Sequence, residues 1–188
     1  MRVIAGSAGG IRLAVPETDV RPTMDRVKAA IFSSLGDRVI DARVLDLFAG
    51  TGGLGLEALS RGAASALFVD ENRAAVEAIE RNFQKTNLRG RVTRQEVFAF
   101  LERQRPNESF EIIFADPPYE KSKSGGEFTR LLLENEKLAA LLEPGGVFVL
   151  EKRPDEQLFE SQLWKVARAK TYGATEVLFL EHAKAPNE

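Results

Sequence analysis

Apolar and polar positions along this chain alternate between two periods. Short apolar runs bounded by polar or turn residues predict buried strands near residues 43–48, 66–69, 91–95, 110–115 and 146–151. Between them, amphipathic stretches predict helices near 54–61, 73–86, 96–104, 127–141 and 155–162. Ahead of this region, residues 3–15 read as a small hairpin about Gly9-Gly10. A helix follows over 23–35, with Val27, Ala30, Ile31 and Leu35 on one face. Two strand-like runs, 164–170 and 175–181, are separated by the turn Thr171-Tyr172-Gly173-Ala174 and predict an antiparallel hairpin. Strands alternating with helices imply an α/β fold, a mostly parallel sheet with helices on both faces. No internal repeat or low-complexity run interrupts the pattern, and Pro186-Asn187-Glu188 is expected to fray.

Two segments at predicted strand ends carry candidate chemistry. Asp116-Pro117-Pro118-Tyr119 follows the strand at 110–115. Its two prolines fix φ and remove two backbone donors, leaving a stiff corner of acceptors. An exocyclic amine on a nucleobase offers two N–H donors, which the Asp116 carboxylate and the Pro117 carbonyl are suited to hold. Tyr119 then either stacks on the ring or packs inward. Two acceptors on the amine hydrogens draw the nitrogen toward tetrahedral geometry and free its lone pair to attack an electrophilic methyl carbon. Taken alone, Asp-Pro-Pro is also an ordinary turn.

The second segment is a strand, a glycine-rich turn and a helix. Gly50, Gly52 and Gly55 have the spacing of a dinucleotide fingerprint, and Asp70 ends the next apolar strand 20 residues after Gly50. A pyrophosphate-bearing nicotinamide cofactor and the cationic S-adenosyl-L-methionine both fit such a turn. Asp46, four residues before Gly50, would repel a pyrophosphate and suits a cation. A cofactor turn followed by an amine-holding corner favours methyl transfer over hydride transfer.

Asp46-Leu-Phe-Ala-Gly-Thr-Gly52 is similar to the cofactor motif of class I S-adenosylmethionine-dependent methyltransferases, and Asp116-Pro-Pro-Tyr119 resembles their amino-methylating motif. Arg21-Pro-Thr-Met-Asp-Arg-Val27, Leu54-Gly-Leu-Glu-Ala-Leu-Ser-Arg-Gly62 and Tyr172-Gly-Ala-Thr175 further resemble the RsmD family, a likeness that runs over about residues 2–182. The resemblance implies a Rossmann-like sandwich with a seven-stranded sheet in the order 3-2-1-4-5-7-6 and a small N-terminal hairpin. It implies S-adenosyl-L-methionine as cofactor, with Asp46, Phe48, Gly50, Thr51 and Gly52 forming its turn. Asp70, with its neighbour Glu71, would meet the ribose, and the Glu96-Val97 corner would meet the adenine. Glu96 also fits as an acid in the first turn of a helix. Thr23 caps the helix starting beside Pro22, with or without a contact from that helix terminus to the cofactor carboxylate. Asp116, Pro117, Pro118 and Tyr119 would hold the substrate, which the family resemblance makes the N2 amine of a guanine in 16S ribosomal RNA, within an assembled or assembling small subunit. The family's hairpin tip carries an aromatic and basic residues, whereas here it reads Gly6-Ser7-Ala8-Gly9-Gly10.

Composition narrows the partners. With 188 residues and 44% hydrophobic content, one domain is expected over 1–188, with a hairpin extension at 1–20 and a catalytic core at 21–183. There is no cysteine, and the single histidine, His182, is read as a solvated edge residue, so no metal site is expected. Neither a signal segment nor a membrane-length apolar run is visible, which points to a cytoplasmic protein with no membrane partner; a monomer is the default expectation. A net charge of −2 gives no global attraction to nucleic acid. A local basic rim is expected instead from Arg2, Arg12, Arg21, Arg26, Lys28, Lys121, Lys123, Lys152 and Arg153. Three readings stand: guanine-N2 methylation of 16S ribosomal RNA, N6-adenine methylation of DNA or another RNA, and a non-catalytic nucleotide-binding protein on the same fold. Size counts against duplex DNA, because base flipping with sequence choice usually uses an added recognition region.

Overall fold

A computed structural model describes residues 1–15, 25–103, 108–118, 126–156 and 160–183. Its elements run α1 (Asp25–Leu35), a 3-10 turn (Gly36–Val39), β1 (Arg43–Leu47), α2 (Gly53–Ser60), β2 (Ser65–Asp70), α3 (Arg73–Thr86), β3 (Arg91–Arg94), α4 (Val97–Arg103), β4 (Phe110–Ala115), α5 (Glu127–Leu133), α6 (Glu136–Leu141), β5 (Leu142–Lys152), β6 (Trp164–Tyr172) and β7 (Thr175–His182). The strands form one sheet in the order β3-β2-β1-β4-β5-β7-β6. Pairs among β1 to β5 are parallel, while β7 runs antiparallel to both β5 and β6. This is the fold and strand order expected from the sequence.

Side-chain alternation along the strands divides the core into two layers. Val44, Phe68, Ile112, Phe114 and Val149 point to one face, where Val27, Ile31, Leu56 and Ile79 of α1, α2 and α3 cover them. Leu45, Val69, Ile113, Phe148 and Leu150 point to the other, against Leu101, Leu132 and Leu138 of α4, α5 and α6. Strands covered on both sides cannot alternate apolar with polar, which is why they read as continuous apolar runs.

The N-terminal segment makes one antiparallel bridge, Arg2 to Arg12, and then lies on α2. Glu57 accepts the Ile4 and Ala5 N–H groups at 2.6 and 3.1 Å, and the Ser60 hydroxyl both donates to the Ala5 carbonyl and accepts from Ala8 N–H. Gly6 is required there: a Cβ on it would stand 1.8 Å from the Ser60 carbonyl oxygen. The small residues of the tip therefore reflect a close approach to α2.

Four expectations need correction. The helix expected over 127–141 is two helices, because Asn135 adopts an extended conformation and its side chain accepts the Leu138 N–H at 2.8 Å, capping α6. The described part of 155–162 is turn, bend and irregular chain rather than helix. The Lys152 ammonium holds the Arg153 and Glu156 carbonyls that a helix would use. His182 is half-buried rather than a solvated edge residue, its Nε2 is 3.0 Å from the Ala139 carbonyl, and its ring stacks on Trp164 at 5.7 Å. Lys28 and Lys152 do not belong to a basic rim, since both are fully or almost fully buried and ion-paired, to Glu57 and Glu176. Arg21, Lys121 and Lys123 lie outside the described residues.

Candidate active site

The carboxyl ends of β1 and β4 are adjacent, with Leu47 and Ala115 in register, so the glycine-rich turn and the Asp116 corner meet at the sheet's switch point. The turn is preformed by backbone geometry. Phe48, Gly50 and Gly52 all have positive φ, at 55°, 54° and 75°. Phe48 is the costly member of the three, since left-handed backbone is rare for an aromatic residue. Gly55 is needed for a different reason: an added Cβ would be 2.3 Å from the Phe68 ring, so only glycine lets α2 close on β2.

Carboxylates fasten this turn. Asp70 Oδ2 accepts the Gly50 N–H at 2.8 Å, and its Oδ1 accepts the Asn72 N–H at 2.8 Å. Asp46 Oδ2 accepts the Gly55 N–H at 2.8 Å. Burial pushes the Asp46 carboxyl up to about 8, against the lowering effect of that hydrogen bond, and the negative charges of Asp116 and Asp70 add to the rise. Three acids thus converge on one crevice. Thr51 is buried and turns away from it, its hydroxyl 3.2 Å from the Met1 sulfur and its carbonyl bound by Asn82 Nδ2 at 3.0 Å.

Among the remaining expected cofactor residues, Glu71 is exposed and Val97, the first residue of α4, is buried. Glu96 spends both carboxylate oxygens on the Phe98 and Ala99 N–H groups, at 2.9 and 2.7 Å, so it caps α4. Asp116 is half-buried, Pro117 buried and Pro118 exposed. Tyr119 and Thr23 lie outside the described residues.

Several residues with a part in this architecture escaped the sequence reading. Phe98 and Phe128 stack with ring planes 7° apart, and Phe48 sets its edge against both, forming an aromatic wall at the strand ends. Phe98 directly follows the Glu96-Val97 corner and Phe128 opens α5, but nothing in their spacing marks them as partners. Asn82 ties α3 to Thr51 and also exchanges hydrogen bonds with Ala14. Lys28 and Glu57, both fully buried, join α1 to α2; desolvation lowers the Lys28 pKa against the opposing pull of Glu57.

A 3-2-1-4-5-7-6 sheet with a glycine-rich turn after its first strand and an Asp-Pro-Pro corner after its fourth defines the class I methyltransferase fold. A family model described as "Conserved hypothetical protein 95" matches residues 1–181, and the chain belongs to that family, the RsmD family. YlbH of Bacillus subtilis strain 168 is 39% identical over 182 residues, spanning 94% of this chain and 96% of YlbH. "Ribosomal RNA small subunit methyltransferase D" of Haemophilus influenzae is 31% identical, spanning 92% of this chain and 89% of its own. A solved structure from Thermus thermophilus, hypothetical protein TTHA0928, superposes with a TM-score of 0.79 at 33% identity, spanning 96% of this chain and 99% of that one. Among the described residues no helix is long and apolar enough to cross a membrane.

Proposed function

We propose that this protein transfers a methyl group from S-adenosyl-L-methionine to the exocyclic N2 amine of a guanine in 16S ribosomal RNA. The observation that carries the cofactor assignment is the convergence of Asp46, Asp70 and Asp116 on one crevice, where burial first, and the two neighbouring carboxylates after it, push the Asp46 carboxyl up to about 8. Such a site repels a pyrophosphate and receives a cation. When bound, the cofactor supplies an electrophilic methyl on a sulfonium. The Gly50–Gly52 backbone would lie against the adenosyl group, Asp70 would accept from the ribose hydroxyls while keeping its bond to Gly50, and Phe48 and Phe98 would give an apolar wall for the adenine. Asp46 would hold the Gly55 N–H from beneath the turn and would add its charge only as it ionises, near pH 8. The names of the curated relatives support small-subunit ribosomal RNA as substrate.

At the corner, Asp116 and the Pro117 carbonyl accept the two amine hydrogens, and the amine lone pair is aimed at the methyl. Catalysis rests on alignment, because the methylated amine is acidic as it forms and its proton passes to Asp116 or to water. Tyr119, following Pro118, is assigned to stacking on the base. The N-terminal segment, hydrogen-bonded along α2, and the core are read as one domain. With a charge of −2, the protein is proposed to act as a cytoplasmic monomer on an assembled or assembling subunit, which presents the base already exposed.

The experiment is methyl transfer from labelled S-adenosylmethionine to unmodified small subunits, protein-free ribosomal RNA and duplex DNA, with mass identification of the product nucleoside. N2-methylguanosine from subunits is expected. N6-methyladenine would move the activity to the adenine reading, and no product from any substrate would leave a non-catalytic binding protein.

A further inference from the structure

Pro117 and Pro118 also border a cleft beside the Asp116 corner. They form one wall of this shallow, open cleft, whose other walls hold Phe128 and Thr129 of α5 and Glu151 and Glu156 near the end of β5. Glu151 lies one residue beyond Leu150, as Asp116 lies one residue beyond Ala115, and Ala115 and Leu150 are register partners on parallel strands. The two acids therefore leave neighbouring strands at the same level and toward the same face, at a strand spacing of about 4.8 Å.

Lys152 and Glu156, which also border the cleft, hold the β5 end in place. Lys152 Nζ bonds the Arg153 and Glu156 carbonyls at 2.7 and 2.8 Å and the Glu176 carboxylate at 2.8 Å, which uses all three of its donors. Glu156 accepts the Thr129 hydroxyl at 2.9 Å and stands 3.5 Å from Arg153 Nε. Glu151 is only 3% exposed, yet it lines the cleft beside the prolines.

The Watson–Crick edge of guanine carries an N1–H donor directly beside its N2 amine. An adenine edge, or any purine with an amine at C6, carries an N1 lone pair instead. Two acceptors on adjoining strands match the first edge, and the second would set a lone pair against a carboxylate. Resting on the methyl-transfer reading above, we propose that the cleft receives the edge of the target base and that Glu151 accepts the guanine N1–H while Asp116 and Pro117 hold the N2 amine. Glu151 is then the residue that selects guanine.

The test compares small subunits carrying guanine or 2,6-diaminopurine at the methylated position; the analogue keeps the N2 amine and replaces N1–H with a lone pair. The wild-type protein should prefer guanine by roughly a hundredfold in kcat/KM. Glu151→Gln, whose amide can donate to that lone pair, should narrow the preference by about tenfold or more, and Glu151→Asp, which keeps the charge, should retain it. Unchanged S-adenosylmethionine affinity in both variants reports an intact cofactor side. An unaltered guanine preference in Glu151→Gln, or an equal fall on both substrates, would overturn the assignment while leaving methyl transfer in place. A wild-type protein that methylates no guanine N2 would overturn the methyl-transfer reading, and this assignment with it.

Discussion

After β1 the chain folds back on itself, with the Gly50 and Gly55 N–H groups held by Asp70 and Asp46 and the Thr51 carbonyl by Asn82. After β4 two prolines withhold their donors and border a cleft completed by α5 and the end of β5. The first corner is self-satisfied and rigid, so it can receive the same cofactor at every turnover with little ordering cost. The second carries the Asp116 carboxylate at the end of β4, followed by two residues that have no N–H to donate. One fold thus places a donor-bound turn and a donor-poor one on adjoining strands.

The steepest loss of activity should come from Asp116→Ala, which disables the second corner alone. It should lower kcat by about 10²–10³-fold, through the lost hydrogen bond to a desolvated amine and the alignment it enforced. Its urea midpoint should stay near that of the wild type. A variant that unfolds, or one that keeps full turnover, would remove the contrast between the corners.

Gly55→Ala attacks the first corner through packing. Its Cβ would stand 2.3 Å from the Phe68 ring and 3.1 Å from Asp46 Oδ2. A loss of about 1–3 kcal/mol in urea unfolding is expected, accompanied by weaker S-adenosylmethionine binding in calorimetry.

Asp46→Asn probes the same corner electrostatically. The folded-state pKa of Asp46 is raised from 3.8 to about 8, so between these values the native state holds a proton that the unfolded chain has released. Stability from this group is therefore complete below about pH 4, falls as pH rises toward 8, and is flat above. The asparagine variant should lack that slope: equal to the wild type at low pH and more stable by about 1–3 kcal/mol above pH 8, because its amide oxygen still accepts from Gly55 N–H. Its S-adenosylmethionine affinity should also lose the part of the wild-type pH dependence in which binding tightens as Asp46 ionises.

Glu96→Ala should do least, removing the cap of α4 at a cost of about 1 kcal/mol. Unchanged cofactor affinity would leave Glu96 as a cap only, whereas weaker binding would extend the first corner to the adenine.

The alternation of strands with helices and the two corners were legible in residue order, and the strand order followed once the corner motifs pointed to a family. Buried parallel strands must read as apolar runs, a tight strand-to-helix turn must carry glycines at fixed offsets, and a donor-poor corner must carry prolines. Each of these requirements acts over a few residues and leaves a local mark. Other relations emerged only on folding: Lys28 and Lys152 became buried ion pairs rather than a basic rim, Phe48, Phe98 and Phe128 came to share a wall, and Ala115 and Leu150, which precede Asp116 and Glu151, became register partners. These relations join residues from separate elements, so no spacing along the chain records them. The break at Asn135 and the absence of helix in the described part of 155–162 belong with them in part: the cap is local, but the Lys152 ammonium that gathers the carbonyls is positioned by the ladder between β5 and β7.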